Sequence, residues 1–475
     1  MLPSPKNYAI FPSVVLAGKA TEMTILPTEK SFMLFEDQEY RLTILPVNSD
    51  DFYTTTDPQT YGHLPVVAHD GILRFNYTFE GEQEYTILLS IPNKEEYKLL
   101  FEFHIYALKE DLYALRPLKG DFHAHSYRSN GRQDPSALAG YYREYGYDFF
   151  APTDHNRYYP SEEPNDTFSD ITLAFTIIKG EEIHTPENTV HIIHVGGKHS
   201  VSDKYIHDTG NYEKELAAYV TKVPAEIPEK YKFRYAQCMW STEKIHEVGG
   251  LAIFPHPYWR MGSSKAFNVC DEFATILLQS GMFDAYELIG CMKQLGNNRS
   301  VALWNDLRAE GLKISVVGSS DAHNLENFKE FPHLFTICFA KDRTNDDIID
   351  AVKNRYSVAV EACGTEYERQ YRAYGSLRLV SYVHFLLNYF FPLRQRLCQG
   401  EGIAMRNYAM DTCGAEVIET QVAVSEDFTA CFFGRKTPKL PSQKVKDSIT
   451  KWREIQLQGP TTKGSSLNGP ITRQI

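Results

Sequence analysis

The stretch Gly120-Asp121-Phe122-His123-Ala124-His125 ends a short apolar run on two histidines. Alternate residues of a strand point the same way, so His123 and His125 can grip one cation from a single backbone segment. Five further groups follow: Thr153-Asp154-His155-Asn156, Gly180-Glu181-Glu182, His191, Phe254-Pro255-His256-Pro257 and Ser320-Asp321-Ala322-His323. Each lies at or just past the end of an apolar, β-branched or aromatic run. Imidazoles suit Zn, Fe and Mn ions, and carboxylates can bridge two cations while offsetting their repulsion. The recurring order of strand, then His, Asp or Glu, predicts a polynuclear metal site at one end of a barrel. No Ser-His-Asp order, no Gly-x-Ser-x-Gly elbow and no Walker loop is present.

The elements that must position these residues lie between about 116 and 362. Strands are expected at Tyr147–Pro152, Thr172–Ile178, Val190–Val195, Leu251–Phe254, Ala285–Ile289, Ile314–Val317 and Leu334–Phe339. Helices are expected between several of them. One starts at Asp134-Pro135, a capping residue followed by proline at the first helical position, and stops at Gly146. Others cover Arg299–Ala309, stopping at Gly311, and Asp346–Asn354. Repeated β-then-α units suggest parallel strands with crossovers, closed into an α/β barrel. In such barrels the chemistry collects at the C-terminal strand ends, where the metal-type residues fall.

The flanking regions have other textures. Residues 1–115 read as a small all-β sandwich: runs such as Tyr40–Leu45, Leu73–Phe79, Glu84–Ile91 and Leu99–Tyr106 are separated by turn residues such as Asp70-Gly71. This domain suits a structural or oligomerising module, which leaves a homo-oligomer open. Residues 198–240 interrupt the βα rhythm and read as an insertion, either a lid over the barrel mouth or a surface excursion. From 363 to 455 the chain turns mainly helical over Tyr367–Leu397, with one strand candidate at Ala415–Val424. The tail 456–475 is predicted to be disordered.

The 475 residues, 43% of them hydrophobic, suffice for two or three domains. The net charge is -12, from 49 basic and 61 acidic residues, which disfavours long nucleic acid as a partner. Eight cysteines without a CxxC or a disulfide ladder imply a reducing compartment. The apolar stretch Val383–Leu393 is too short and too polar to span a bilayer. A cytoplasmic location without membrane contact is the expectation.

Taken in order, the motifs resemble the polymerase and histidinol phosphatase (PHP) family over about 118–362. The family's His-x-His and Ser-Asp-Gly elements correspond to His123-Ala124-His125 and Ser129-Asn130-Gly131. Its Thr-Asp-His corresponds to Thr153-Asp154-His155, and its Gly-x-Glu to Gly180-Glu181-Glu182. A strand histidine, a His-Pro and a closing Asp-x-His correspond to His191, His256-Pro257 and Asp321-Ala322-His323. The resemblance implies a distorted (β/α)7 barrel with two or three divalent ions (Zn, Mn or Fe). It implies that His123, His125 and Asp321 hold a first ion and that Glu182 bridges it to a second. His191 and His256 complete the second, and His155 and His323 belong to a third. Asn130 stands where the family usually has Asp, so a hard anionic ligand is lost at the third ion, whose site would be weak, empty or completed by another group. Family spacing favours Glu182 over Glu181 and His191 over His194. His184, His199, His207, His246 and His333 read as ordinary histidines outside the site.

The implied activity is a metal-dependent phosphoesterase, in which a metal-bridging hydroxide attacks a small phosphorylated metabolite or short nucleotide. Arg157, Arg260 and Lys198 are the cationic candidates for a phosphate, and Asp154 is grouped with the two arginines as a catalytic candidate. Two alternatives share the scaffold. One is a carboxylic or carbamic ester hydrolase, similar to carbaryl-hydrolase-like members with an N-terminal β domain. The other is a non-catalytic metal-binding scaffold.

Overall fold

The computed structural model describes residues 7–50, 62–93, 96–260, 265–327, 331–364 and 370–458. They fall into two compact units. One joins residues 7–113 to 427–458, and the other runs from Ala114 to Glu426. The second boundary between them falls within the region 363–455 expected to be mainly helical.

In the first unit, β1 (Tyr8–Phe11), β2 (Val14–Leu16), β3 (Ala20–Pro27), β4 (Glu39–Pro46), β5 (His63–Val67), β6 (Leu73–Thr78), β7 (Gln83–Asn93) and β8 (Glu96–Leu108) form two sheets. Their orders are β1-β3-β6 and β2-β8-β7-β4-β5. Period-two burial drives the arrangement: in β6, Leu73 and Phe75 are buried while Arg74 and Asn76 are exposed. Met23, Ile25, Leu42, Ile87 and Ile105 are among the fully buried core residues. Asp70 and Gly71 both take positive φ and close a two-residue turn between the paired His69 and Ile72. A short α1 (Glu110–Tyr113) follows β8. A helix over Gln443–Gln458 also belongs to this unit, with Lys446 Nζ 2.7 Å from Asp70. It carries helical structure past the expected start of disorder at 456, and residues 459–475 lie outside the described residues.

The second unit opens with β9 (Arg116–Ala124), α2 (Pro135–Glu144), β10 (Phe149–Pro152), α3 (Glu163–Thr167), β11 (Thr176–Ile177), β12 (Gly180–Ile183) and β13 (Ile192–Val195). The cap expected for α2 is present: the Asp134 carboxylate accepts hydrogen bonds from the Ser136 and Ala137 amides. Gly146, just past the helix, has φ +74°. Next come α4 (Ser202–His207), α5 (Thr209–Lys222), α6 (Glu229–Glu247), β14 (Leu251–Phe254), α7 (Asp271–Gln279), β15 (Ala285–Ile289) and α8 (Lys293–Ala309). The unit continues with β16 (Ser315–Gly318), β17 (Leu334–Ala340), α9 (Asn345–Lys353), β18 (Ser357–Cys363), β19 (Gln370–Tyr374), α10 (Leu377–Tyr389) and α11 (Phe391–Ala409). α12 (Ala415–Phe432) begins here.

The strands make a six-stranded sheet, β11-β10-β9-β17-β18-β19, and a five-stranded sheet, β12-β13-β14-β15-β16. The all-parallel expectation is corrected. β9, β10 and β11 run parallel, as do β14, β15 and β16, whereas β12, β13 and β14 alternate in direction and β17 runs antiparallel to both β9 and β18. The loop between β12 and β13 is too short for a helical crossover, so the chain must turn back. Isolated bridges Ala124–Ala322 and His155–Glu182 link the two sheets at the end where the histidines gather. Phe122, Phe149, Ile193, Ile253, Ala285 and Val317 belong to the buried cluster between them.

Residues 198–240, expected as a lid or a surface excursion, are largely helical and packed. Helices α4–α6 bury Tyr205, Tyr212, Leu216, Tyr235 and Trp240 in the same core as Ala252 and Phe254 of β14. Ala415–Val424 is helical rather than a strand: it lies in α12, whose buried Ile418 and Ser425 are seven residues apart on one helical face. Gln370–Tyr374, read as part of a helix, is a strand paired with β18, and residues 365–369 lie outside the described residues. No helix among the described residues is long and apolar enough to cross a membrane.

Candidate metal centre

Strand direction explains the position of each donor in its motif. His123 lies inside β9 and His125 one residue beyond it. His155, His256 and Asp321 each follow the C-terminal end of a strand, namely β10, β14 and β16. His191 instead precedes β13, since β13 runs antiparallel to β14 and presents its N-terminus at that same end. Glu182 sits within β12 opposite Ile193, which is itself opposite Ile253, so it faces the interior between the sheets. Glu181 pairs in register with His194 on the opposite face. His194 Nδ1 is 3.1 Å from Glu181 Oε1, and that carboxylate also accepts from Ser200 Oγ and the Val201 amide at the start of the helical insertion.

Six imidazoles surround the single carboxylate of Glu182, which is buried. Oε2 lies 3.5 Å from His123 Nε2, 3.5 Å from His125 Nε2 and 2.9 Å from His155 Nε2. Oε1 lies 3.1 Å from His184 Nε2, 2.9 Å from His191 Nδ1 and 3.2 Å from His256 Nε2. Asp321 Oδ1 adds a second carboxylate, 2.8 Å from His125 Nε2 and 3.2 Å from His123 Nε2. His323 Nδ1 bonds the Asp321 carbonyl at 2.8 Å, which leaves its Nε2 as the free ligand atom. Ligand atoms lie within 4.8 Å of one another in the triads His123–His256–Asp321, His123–His125–Glu182, Glu182–His191–His256, His155–Glu182–His184 and His125–His155–His323.

This donor set fits divalent cations. His123 Nε2, His184 Nε2 and His191 Nδ1 are buried and approach carboxylate oxygens at 3.2, 3.1 and 2.9 Å without the alignment of a hydrogen bond, although buried polar atoms ordinarily make one. Burial opposes charge on Glu182, yet His184, His191 and His123 hold its carboxyl well below the usual carboxylate range. Asp321 shows the same balance, with His123 and His125 outweighing burial. For His123 burial is likewise outweighed, and Asp321, Glu182 and Glu287 raise it well above an ordinary imidazole. Burial prevails at His125, pushed down to about 3, and at His191, pushed down to about 4. His125 and His191 are thereby neutral beside anionic carboxylates, as metal binding requires, whereas a cation must displace the proton that the carboxylates favour on His123. His256 and Asp321 both have positive φ (24° and 50°), a backbone state uncommon for residues other than glycine.

The eight expected metal-type residues thus converge. Of the expected catalytic residues, Asp154 is committed to a neighbouring loop and the two arginines are exposed. Asp154 faces the loop after β9, where its carboxylate accepts from the Ser126 amide at 3.0 Å, Ser126 Oγ at 2.8 Å and Ser129 Oγ at 2.5 Å. It shapes the turn carrying His125. Arg157 is exposed, as is Arg260, whose guanidinium lies over the Phe267 ring. Lys198 is also exposed.

Sequence reasoning missed four groups. His184, set aside as an ordinary histidine, enters the cluster. Its signal was its place two residues after Glu182, which gives it the same strand parity. Glu287, fully buried on β15, puts Oε2 3.0 Å from His123 Nδ1 and thereby turns Nε2 toward Glu182 and Asp321. Asp121 accepts from the Ser320 and His123 amides and ties the β9 end to the Asp321 loop; burial pushes its carboxyl up to about 6. Cys291 Sγ donates to Asp321 Oδ2 at 2.7 Å. Only strand pairing places Glu287 and Cys291 beside the histidines, so no local motif announces them, whereas Asp121 stands two residues before His123 in the opening motif.

No family model matches this chain, and no curated protein matches it. Among solved structures, it is similar to a two-domain protein from Bacteroides vulgatus described as containing a predicted PHP-like metal-dependent phosphoesterase. That match has 21% identity and a TM-score of 0.36, and it covers 52% of this chain and 65% of that one, less than two thirds of its length. A Bifidobacterium adolescentis protein, provisionally described as a metal-dependent phosphoesterase, matches at 15% identity and a TM-score of 0.32 over 50% of this chain and 96% of that one. A Chromobacterium violaceum amidohydrolase, solved with sulfate and no metal, matches at 16% identity and a TM-score of 0.29 over 43% of this chain and 87% of that one.

Proposed function

We propose that this chain is a metal-dependent phosphoesterase acting on a small phosphorylated metabolite or short nucleotide. The observation that carries this reading is the Glu182 carboxylate with three imidazoles on each oxygen, the arrangement of a ligand shared between two cations. His123, His125, Glu182 and Asp321 would hold one ion, and Glu182, His191 and His256 another. Divalent ions in such a pair lower the pKa of water and stabilise charge on the oxygens of an in-line displacement. The chain's own groups prepare that chemistry. Glu287 holds the proton of His123 on Nδ1, which keeps Nε2 free for a ligand bond. Asp154 and Asp121 fix the two loops that carry His125 and Asp321. A cleft of about 320 Å³, lined by Cys291, Lys293, Gln294, Asn297, His333 and Glu361, adjoins Asp321 through the Cys291 thiol. Its size suits a small molecule, and Lys293 on its lining supplies a cation for a phosphate.

The test is turnover of p-nitrophenyl phosphate, bis-p-nitrophenyl phosphate and p-nitrophenyl acetate in Mn²⁺ and Zn²⁺. Phosphate-ester cleavage without acetate cleavage is expected, lost in His256→Ala while circular dichroism stays unchanged. Acetate turnover alone, silence in both metals, or full activity in His256→Ala would overturn the reading.

A further inference from the structure

The cluster holds one imidazole more than the metal ligands that the family resemblance implies, and it lacks one carboxylate. Asn130 occupies the position where an aspartate was expected to serve a third ion. Its side chain is exposed and lies 3.3 Å from the neighbouring Ser129 hydroxyl. A neutral amide in that setting is a poor replacement for an anionic ligand.

His184 stands on the other side of His155. Its ring centroid is 4.3 Å from that of His155, and its Nε2 is buried and lies 3.1 Å from Glu182 Oε1, out of line for a hydrogen bond. His155, Glu182 and His184 bring three ligand atoms within 4.8 Å of one another. A second triad, His125–His155–His323, shares His155.

The fold holds this pair of histidines deliberately close. Asn156, next to His155, has φ +53° and clamps residue 184 from both sides. Its Oδ1 accepts from the His184 amide at 2.7 Å, and its Nδ2 donates to the His184 carbonyl at 3.3 Å. Tyr205, from the helical insertion, donates to the same Asn156 Oδ1 at 2.5 Å. On its other side the His184 ring stacks on His191, with centroids 3.6 Å apart and planes 21° apart. A surface histidine would have neither a pinned backbone nor a pinned ring.

We propose that His184 is a ligand of the third divalent ion, joining His155 and Glu182 and replacing the carboxylate absent at position 130. The insertion 198–240 then has a structural purpose at the site, since Tyr205 braces the Asn156 clamp. This inference rests on the reading of the cluster as a metal centre but not on the reaction it performs.

The experiment is metal counting by elemental analysis after equilibrium dialysis against Mn²⁺ or Zn²⁺, with titration calorimetry for the individual equivalents. Wild-type protein is expected to bind three ions. His184→Gln should keep two and weaken the third by on the order of 100-fold or more, a loss at the upper end of that seen for outer-shell partners. Adding Asn130→Asp to His184→Gln should restore it. In the otherwise native chain, Asn130→Asp should leave the count unchanged, and this arm holds even if His184→Gln fails to fold. Two ions in the wild type, three tight ions in His184→Gln, or a gained ion in Asn130→Asp alone would overturn the proposal. Absence of any bound ion in the wild type would instead overturn the metal-centre reading on which it stands.

Discussion

At the scale of the residue, the centre is a problem of excess: too many imidazoles for the carboxylates that accompany them. His123 shows how the chain resolves it. With Glu287 on Nδ1, the ring has one nitrogen committed and the other turned toward Glu182 and Asp321. Glu287→Ala should therefore weaken metal binding by about 10–100-fold, as outer-shell partners typically do, with Glu287→Gln between it and the wild type. Competition with a chromophoric chelator reads this directly, and unchanged affinity in Glu287→Ala would refute the positioning role. Asp154 makes the opposite case, a chemically attractive residue whose contacts are structural. Losing its three hydrogen bonds in Asp154→Ala should cost about 1–3 kcal/mol, seen as a lower urea midpoint in metal-free protein. A variant as stable as wild type would return Asp154 to the list of reactive groups.

At the scale of the element, direction and close approach decide the outcome. β13 carries its histidine at the N-terminus, whereas β10 and β14 have theirs beyond the C-terminus, and only the antiparallel turn between β12 and β13 reconciles the three. The histidine motifs and the cap of α2 were legible because each is written in consecutive residues. The reversal of β13 was not, because apolar β-branched runs read the same in either direction. Helix packing depends on a similar detail. Gly402 of α11 lies against α2 so closely that a Cβ would come 2.3 Å from the Glu144 nitrogen and 2.4 Å from the Gly140 oxygen. Since backbone cannot yield as a flexible side chain does, Gly402→Ala should destabilise by about 1–3 kcal/mol. A thermal melt unchanged from wild type would show that the helices separate without cost.

At the scale of the whole molecule, the cluster makes stability depend on pH when metal is removed. His125 and His191 titrate in the folded protein at about 3 and about 4, against ~6.5 in an unfolded chain. Between those values the unfolded chain binds more protons, so stability rises with pH from about 4 to about 6.5. His123 and His256 are shifted the other way: burial opposes their charge, but the surrounding carboxylates raise both. Above ~6.5 the folded protein keeps protons that the unfolded chain has released, so stability falls as pH rises. Urea midpoints of chelator-stripped protein should therefore peak near pH 6.5, and divalent metal should remove the decline above that pH by replacing protons. A midpoint that climbs steadily from pH 5 to 9 without metal would contradict this balance.

The sequence by itself determined the donor types, their order and the alternation that separates Glu182 from Glu181. Those properties belong to single strands, where a two-residue period sets which side chains share a face. The N-terminal β architecture was equally local, since turns such as Asp70-Gly71 punctuate alternating runs. Only the tertiary structure decided that His184 joins the cluster and that Glu287 and Cys291 stand behind it. These outcomes depend on which strands become neighbours and in which direction they run, and pairing between distant segments leaves no periodic trace in either segment alone.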